Sequence, residues 1–229
     1  MLTNEMLDVL TASKKEGWVL EPEAKRFFSL AGLDVPKFKW AKEPEEALRF
    51  AEEIGFPVVT KVVSYKILHK SDVGGVVTMI DDRQTLEDTF THFSNVIGFE
   101  GVIVEEMVEG VELIVGAKVD HQFGPVILLG IGGTAAEIYR DTILRMAPIN
   151  QGDVESMVRG LKAHRLLEGY RGSQPINLEG LTRLMILFSN LVMDIETHIE
   201  SIDLNPVICS SERCVVADAR IMLNALDPD

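Results

Sequence analysis

The sequence predicts a mixed helix and strand protein of two packed lobes, α/β in its first half and α+β in its second. Three observations carry that prediction. Helical and extended patterns alternate as far as residue 108, as they do in α/β units. Beyond Gly110 two apolar runs are joined only by "HQF", a spacing that favours an antiparallel hairpin. No linker, low-complexity tract or fixed-period repeat separates the halves, and 46% hydrophobic residues in a chain of 229 supply a sizeable core. The expected organisation is an N-terminal helix within 1–20, a first lobe over 21–110 and a second over 111–229.

Leu2, Met6, Leu7 and Leu10 have the spacing of a short amphipathic docking helix, and acidic residues stand where a signal peptide would be basic. In "LEPEAKRFFSLAGLDVP", Pro22 sits in the first helical turn. Ala24, Phe27, Phe28 and Ala31 form an apolar face, and Gly32 stops the helix. "PEEALRFAEEIG" repeats the device: Ala47, Leu48 and Ala51 face inward, the carboxylates form a solvated face and Gly55 ends the helix. Strands are expected over 37–41, 57–64, 74–80 and 101–108, with a helix across "RQTLEDTFTHFSNVI" before the last.

In the second half "VELIVGAKVD", "GPVILLGIGG" and "ILRMAPI" read as strands of a largely antiparallel sheet. Helices are expected over 151–163 and about 178–197, and "SIDLNPVI" and "CVVADARIML" as closing strands. Cys209 and Cys214 flank "SSER" and are placed to face each other across a turn. Two cysteines make neither a disulfide framework nor a zinc site, so packing is their expected role.

With 22 Lys and Arg against 36 Asp and Glu, the formal charge is −14 and no basic run is dense enough to track a phosphate backbone. Nucleic-acid binding is excluded on that ground. An anionic ligand would need placed lysines, backbone amides or a divalent cation to overcome the field locally. Nothing approaches the roughly 20 apolar residues of a membrane span, so a cytoplasmic protein without membrane contact is expected.

Several residues could carry chemistry. Lys61 lies inside an apolar strand and requires an acidic partner or an anionic ligand; both remain open. "SDVGG" either lets backbone amides approach phosphate oxygens or is a plain turn. "IVEEMVEG" holds Glu105 and a bend near Val108 that would free backbone groups for an adenine edge; otherwise it is a strand end with solvated acids. Glu112 alternates only partly with Leu113 and Val115, which leaves its face unassigned. Asp203, Asn205 and Asp218 fall on two consecutive strands, and their hard oxygens suit Mg²⁺ or, equally, turn chemistry around the Asn-Pro step. Glu137 and Arg145 are set in "GIGGTAAEIYRDTILRM", whose glycines either admit a ligand or form a loop. No Gly-x-Ser-x-Gly elbow, Cys-His nucleophile or His-Glu-x-x-His zinc helix is present. "KILHKSDVGG" sets His69, one of only five histidines, on a polar segment away from other catalytic groups.

Taken in order, "EAKRFF" with "GLDVP", "EEIGFPVVTKVVS", "ILHKSDVGGV", "VEEMVEGVELIVGAKVD", "FGPVILLGIGG", "LLEGYRG", and "IDLNPV" with "VADARI" resemble the β subunit of ADP-forming acyl-CoA synthetases (acetate-CoA ligases), relatives of succinyl-CoA synthetase. The resemblance runs from about Glu21 to Leu223. It implies a two-lobed ATP-grasp fold with the nucleotide cleft between lobes, and ATP or ADP with Mg²⁺ as ligands. By the same resemblance Lys61 holds nucleotide phosphate, Glu105 and the backbone at Val108 meet the adenine, and Glu112 assists at the ribose. Asn205 and Asp218 are the implied metal ligands, with Asp203 close by.

The resemblance also implies that His69, the histidine of the "HKSD" loop, carries phosphate between a partner subunit and ADP, with Lys70 offsetting charge on the phosphoryl oxygens. Imidazole suits the role because its ordinary pKa, about 6.5, leaves much of it an unprotonated nucleophile near neutral pH. The acyl-activating and CoA-binding parts are absent from these 229 residues, so a CoA-binding α subunit in an α₂β₂ heterotetramer is the implied partner. Tyr65 and Lys66 depart from the Pro-Asp that often precedes this histidine, and Ser201 from an acidic residue before "IDxNP". The alternatives are an ATP-grasp ligase that makes an acyl phosphate directly and needs no histidine, or a non-catalytic ATP-binding regulatory module.

Overall fold

The computed structural model of the chain describes residues 2–133, 141–170 and 172–224. These form two compact units, one made of Met1–Val35 with Glu109–Asp229 and the other of Pro36–Val108. The chain begins in the larger unit with α1 (Asn4–Ser13), β1 (Trp18–Val19) and α2 (Glu21–Leu30). The Thr3 hydroxyl accepts from the Met6 amide and caps α1, satisfying one of the helix's open N–H groups. Met6, Val9, Leu10 and Ser13 are its buried stripe. The units do not divide at residue 21, where the sequence reading draws the boundary. Phe27 and Phe28 of α2 join the larger unit's core, with the Phe28 ring centroid 6.3 Å from that of Phe188.

The smaller unit contains β2 (Phe38–Ala41), α3 (Pro44–Ile54), β3 (Val58–Ser64), β4 (Val76–Ile80), α4 (Arg83–Ser94) and β5 (Phe99–Glu106). Its sheet order is β2-β5-β3-β4 and each neighbouring pair is antiparallel. Alternation of helix and strand therefore does not produce adjacent parallel strands. In β2-α3-β3 and in β4-α4-β5 the joined strands run parallel, but each pair admits a strand of the other between its members. Helical residues Ala47, Leu48, Ala51, Leu86, Phe90 and Phe93 pack on Val58, Val62, Val102 and Val104. Thr60 lies between those two valines of β3, fully buried, and its hydroxyl has no hydrogen-bond partner among the described residues. A buried unsatisfied hydroxyl is destabilising, so Thr60→Val is expected to raise stability by about 1 kcal/mol in denaturant unfolding; a loss of similar size would mean the hydroxyl is bonded in solution.

The larger unit continues with β6 (Val111–Asp120), β7 (Gly124–Ile131), β8 (Thr142–Met146), α5 (Gln151–Gly160), α6 (Leu178–Ile195), β9 (Ile199–Cys209), β10 (Cys214–Val216) and β11 (Arg220–Leu223). The expected β6–β7 hairpin is present. Its turn is fastened by Asp120 Oδ1, which accepts from the Gln122 and Phe123 amides at 2.8 and 2.9 Å. Those two bonds hold the Asp120 carboxyl below the usual carboxylate range. Gly124 closes the turn at φ +71°, where a side chain would be strained. The seven-stranded sheet runs β1-β11-β9-β6-β7-β8 with β10 added on β9. One face, with Leu113, Val115, Ile127, Leu129, Ile202 and Leu204, belongs to a single core with Met157, Leu181, Met185 and Phe188 of the helices.

The expectation that the cysteines only pack is corrected. Cys209 and Cys214 are direct cross-strand partners with Cα atoms 4.1 Å apart, and they are joined as a disulfide. The strand register decides this, because it sets both side chains on one face of a tight hairpin.

Candidate functional site

In the smaller unit the central observation is a buried ion pair. Register places Val59 opposite Glu105 and Lys61 opposite Ile103, so Lys61 and Glu105 are diagonal neighbours on one sheet face, within reach of long side chains. Lys61 Nζ lies 2.8 Å from Glu105 Oε1, and the residues are only 5% and 3% exposed. Lys61 thus has an acidic partner, and Glu105 is not a solvated strand-end acid. Glu106, next along, accepts the Lys37 amide at 3.0 Å and donates its own amide to the Lys37 carbonyl. Pairing stops there. The backbone groups of Met107 and Val108 make no hydrogen bond among the described residues, as the expected bend requires.

Between β3 and β4 runs the segment with His69. The Ser64 hydroxyl donates to the Ile97 carbonyl and accepts from the Lys66 amide, which ties down the loop's start. At its end the Lys70 carbonyl accepts from the Gly75 amide at 2.7 Å and from that of Val73. A Cβ at Gly75 would stand 2.6 Å from Val62 Cγ1, so the return into β4 needs glycine. The Gly74 amide donates to the Ser71 carbonyl at 3.2 Å. "SDVGG" is therefore a 3₁₀ turn whose glycine amides are internally bonded, which favours the plain-turn reading. His69 is exposed and makes no hydrogen bond among the described residues, and Lys70 beside it is half-buried.

In the larger unit the remaining candidates stand on the sheet face opposite the core. Glu112 alternates with the buried Leu113 and is exposed; its Oε2 would lie 3.3 Å from a Cβ on Gly133. Strand β9 bulges at the Asn-Pro step, since Leu113 pairs with Val207 but Val115 pairs with Leu204. The extra residue re-aims the chain where Asn205 emerges. The Asn205 amide donates to the Asp218 carbonyl at 3.2 Å, and the Ala217 amide donates to the Pro206 carbonyl at 3.0 Å. Asn205 and Asp218 are thereby brought side by side. Asp203 sits one step earlier on β9, opposite Arg220, with Arg220 Nη2 at 3.0 Å from Asp203 Oδ2.

Among the described residues no group of three or more His, Cys, Asp or Glu side chains is placed to hold a metal ion. Two hard oxygen donors, the Asn205 amide and the Asp218 carboxylate, are the set available here. That set fits Mg²⁺, which takes one or two protein oxygens and completes its shell with water and substrate phosphates.

Glu137 lies outside the described residues. Arg145 is structural: its guanidinium donates to the Leu144 carbonyl and to Ser156 Oγ on α5 at 2.9 and 3.0 Å. The sequence reading missed two charged residues. Lys25 is fully buried and paired with Glu21 at 2.9 Å one turn away, a spacing visible as i,i+4. Arg220 opens β11 opposite Asp203, and the single strand expected over "CVVADARIML" is broken at 217–219, with Asp218 in the bend, so only the register reveals this pairing.

The ATP-grasp domain family matches residues 11–223. The chain is 39% identical over 225 residues to the acetate–CoA ligase [ADP-forming] I subunit beta of Pyrococcus furiosus, covering 94% of this chain and 97% of that one. The dinucleotide-forming acetyl-coenzyme A synthetase 1 of Ca. Korarchaeum cryptofilum is similar in two solved states. One holds coenzyme A, acetyl-coenzyme A and a phosphorylated phosphohistidine segment, at TM-score 0.85 and 37% identity over 96% of this chain and 100% of that one. The other holds coenzyme A and Mg-AMPPCP with the phosphohistidine segment pointing towards the nucleotide site, at TM-score 0.85, 38% identity and the same coverage. The chain belongs to the ATP-grasp family and, within it, to the β subunits of ADP-forming acetate–CoA ligases.

Proposed function

We propose that this chain is the nucleotide-binding β subunit of an ADP-forming acyl-CoA synthetase. With a CoA-binding α subunit, in an α₂β₂ cytoplasmic enzyme, it would catalyse acyl-CoA + ADP + phosphate = carboxylic acid + CoA + ATP. The observation that carries the reading is His69, an exposed imidazole with neither ring nitrogen engaged by a described residue, on the loop leaving the strand that bears Lys61. The phosphohistidine segment of the Korarchaeum enzyme supports it.

His69 accepts a phosphoryl group from the partner and delivers it to ADP. In the delivery step a β-phosphate oxygen of ADP attacks phosphorus, the P–O bond forms and the P–N bond to His69 breaks. The proton on the other ring nitrogen lets the ring leave as neutral imidazole. Little covalent chemistry remains for the other residues, and positioning with charge stabilisation does most of the catalysis. Lys61, oriented by Glu105, binds nucleotide phosphate, and Lys70 offsets charge on the phosphoryl oxygens. Glu105 and the unbonded backbone at Val108 meet the adenine edge, and Glu112 the ribose. Asn205 and Asp218, with Asp203 adjacent, hold Mg²⁺, which when bound neutralises and orients the phosphates.

Reconstitution tests this function. The chain mixed with a CoA-binding α subunit should form ATP from acyl-CoA, ADP and phosphate, and neither subunit alone should do so. Acyl phosphate made by this chain alone from ATP and a carboxylate, trapped as the hydroxamate, would instead support a direct ligase.

A further inference from the structure

We propose that Glu106 is the positioning residue for the nucleobase: its carboxylate ends strand pairing, so that the backbone of Met107 and Val108 accepts an adenine edge and rejects a 6-oxopurine. The inference rests on the nucleotide-binding reading above and adds to it a base preference and a residue that has no role there.

Register sets Lys39 opposite Val104 and Phe38 opposite Glu105, so Lys37 and Glu106 are the next pair of β2 and β5. A regular antiparallel pair at this step exchanges two backbone bonds. Here only one is backbone to backbone. The Glu106 amide donates to the Lys37 carbonyl at 3.0 Å, whereas the Lys37 amide donates to Glu106 Oε1, also at 3.0 Å. The side chain has taken the place of a backbone acceptor, and a carboxylate makes the stronger bond. On the other side of β5, Val58 of β3 faces Glu106, so the next residue to face Met107 would be Pro57. Proline has no N–H to give, and the ladder cannot continue there either.

Pairing of β5 therefore stops at one residue on both sides, for reasons set by Glu106 and Pro57. Beyond it the backbone groups of Met107 and Val108 make no hydrogen bond among the described residues. An adenine edge offers an amino donor beside an acceptor nitrogen, and a 6-oxopurine offers the reverse order. Backbone held in one register presents its carbonyl and N–H groups in a fixed order, so it matches one of these edges and leaves polar groups unpaired against the other. The Lys37 amide is the group that would extend pairing with β2 and draw this segment out of place. Glu106 holds that amide.

The test is titration of the α–β complex with ADP and with IDP, which carries a 6-oxo group in place of the 6-amino group. Wild type should bind ADP at least about tenfold more tightly than IDP, the discrimination given by one or two groups left unpaired. In Glu106→Ala that ratio should fall to about twofold or less, mainly through weaker ADP binding. A merely structural role would weaken both nucleotides alike and keep the ratio. Glu106→Val suits a strand yet accepts no hydrogen bond; it should behave like Glu106→Ala and keeps the test decisive if the alanine variant unfolds. Glu106→Gln retains an acceptor oxygen for the Lys37 amide and should retain the ratio. A wild-type ratio near one, or an unchanged ratio in Glu106→Ala or Glu106→Val, would overturn the proposal. So would loss of the ratio in Glu106→Gln, since the charge of the carboxylate would then act on the ligand itself. A wild-type complex that binds neither nucleotide overturns the nucleotide-binding reading, which is a separate and recognisable failure.

Discussion

His69→Ala in the α–β complex is expected to reduce ATP formation from acyl-CoA, ADP and phosphate to background, a fall of at least about 10³-fold, as for loss of a covalent nucleophile. Stability should change little, within about 0.5 kcal/mol, because the side chain is exposed and unbonded among the described residues. ADP affinity should also persist, since the phosphate and adenine contacts are assigned to other residues. A coupled ATP assay, thermal unfolding and ADP titration separate these effects. Retained turnover in the variant would mean the phosphoryl group takes a route that avoids this ring.

The second large effect is at Lys61. Its ammonium and the Glu105 carboxylate are both nearly excluded from solvent and 2.8 Å apart. Lys61→Met leaves a buried carboxylate without its cation, and such a change costs about 3–5 kcal/mol. Replacing the whole pair, as in Lys61→Met/Glu105→Met, should recover most of that loss, because paired buried charges contribute little net stability over apolar residues of similar size. Nucleotide binding should not recover. Denaturant unfolding reads the first effect and ADP titration the second. A double variant that regains stability but not ADP affinity assigns the pair to ligand binding, whereas full recovery of both would make Lys61 purely structural.

Much of this was legible in the sequence because it is local. The β6–β7 hairpin follows from a three-residue connection between apolar runs, and the ends of α2 and α3 from Pro22, Gly32, Pro44 and Gly55. The adjacency of Asn205 and Asp218 follows from two strands joined through a short turn. What escaped depends on register and tertiary packing. Helix α2 belongs to the larger unit because Phe27 and Phe28 meet that unit's core, a contact more than a hundred residues away in sequence. The antiparallel pairing in the smaller unit results from two interlocked strand-helix-strand connections, which alternation cannot reveal. For Glu105 the sequence leaves open a solvated strand end, and only the diagonal register with Lys61 removes that alternative. Arg220 meets Asp203 only because β9 and β11 pair in that register, and Cys209 meets Cys214 for the same kind of reason.

The central claim is that phosphate passes through His69, and its most direct test is transfer of label from γ-labelled ATP to this chain. An acid-labile, base-stable label is expected that maps to the peptide containing His69, is absent from His69→Ala and is discharged to ATP by ADP. Full labelling of His69→Ala, or a label on wild type that survives acid, would contradict it.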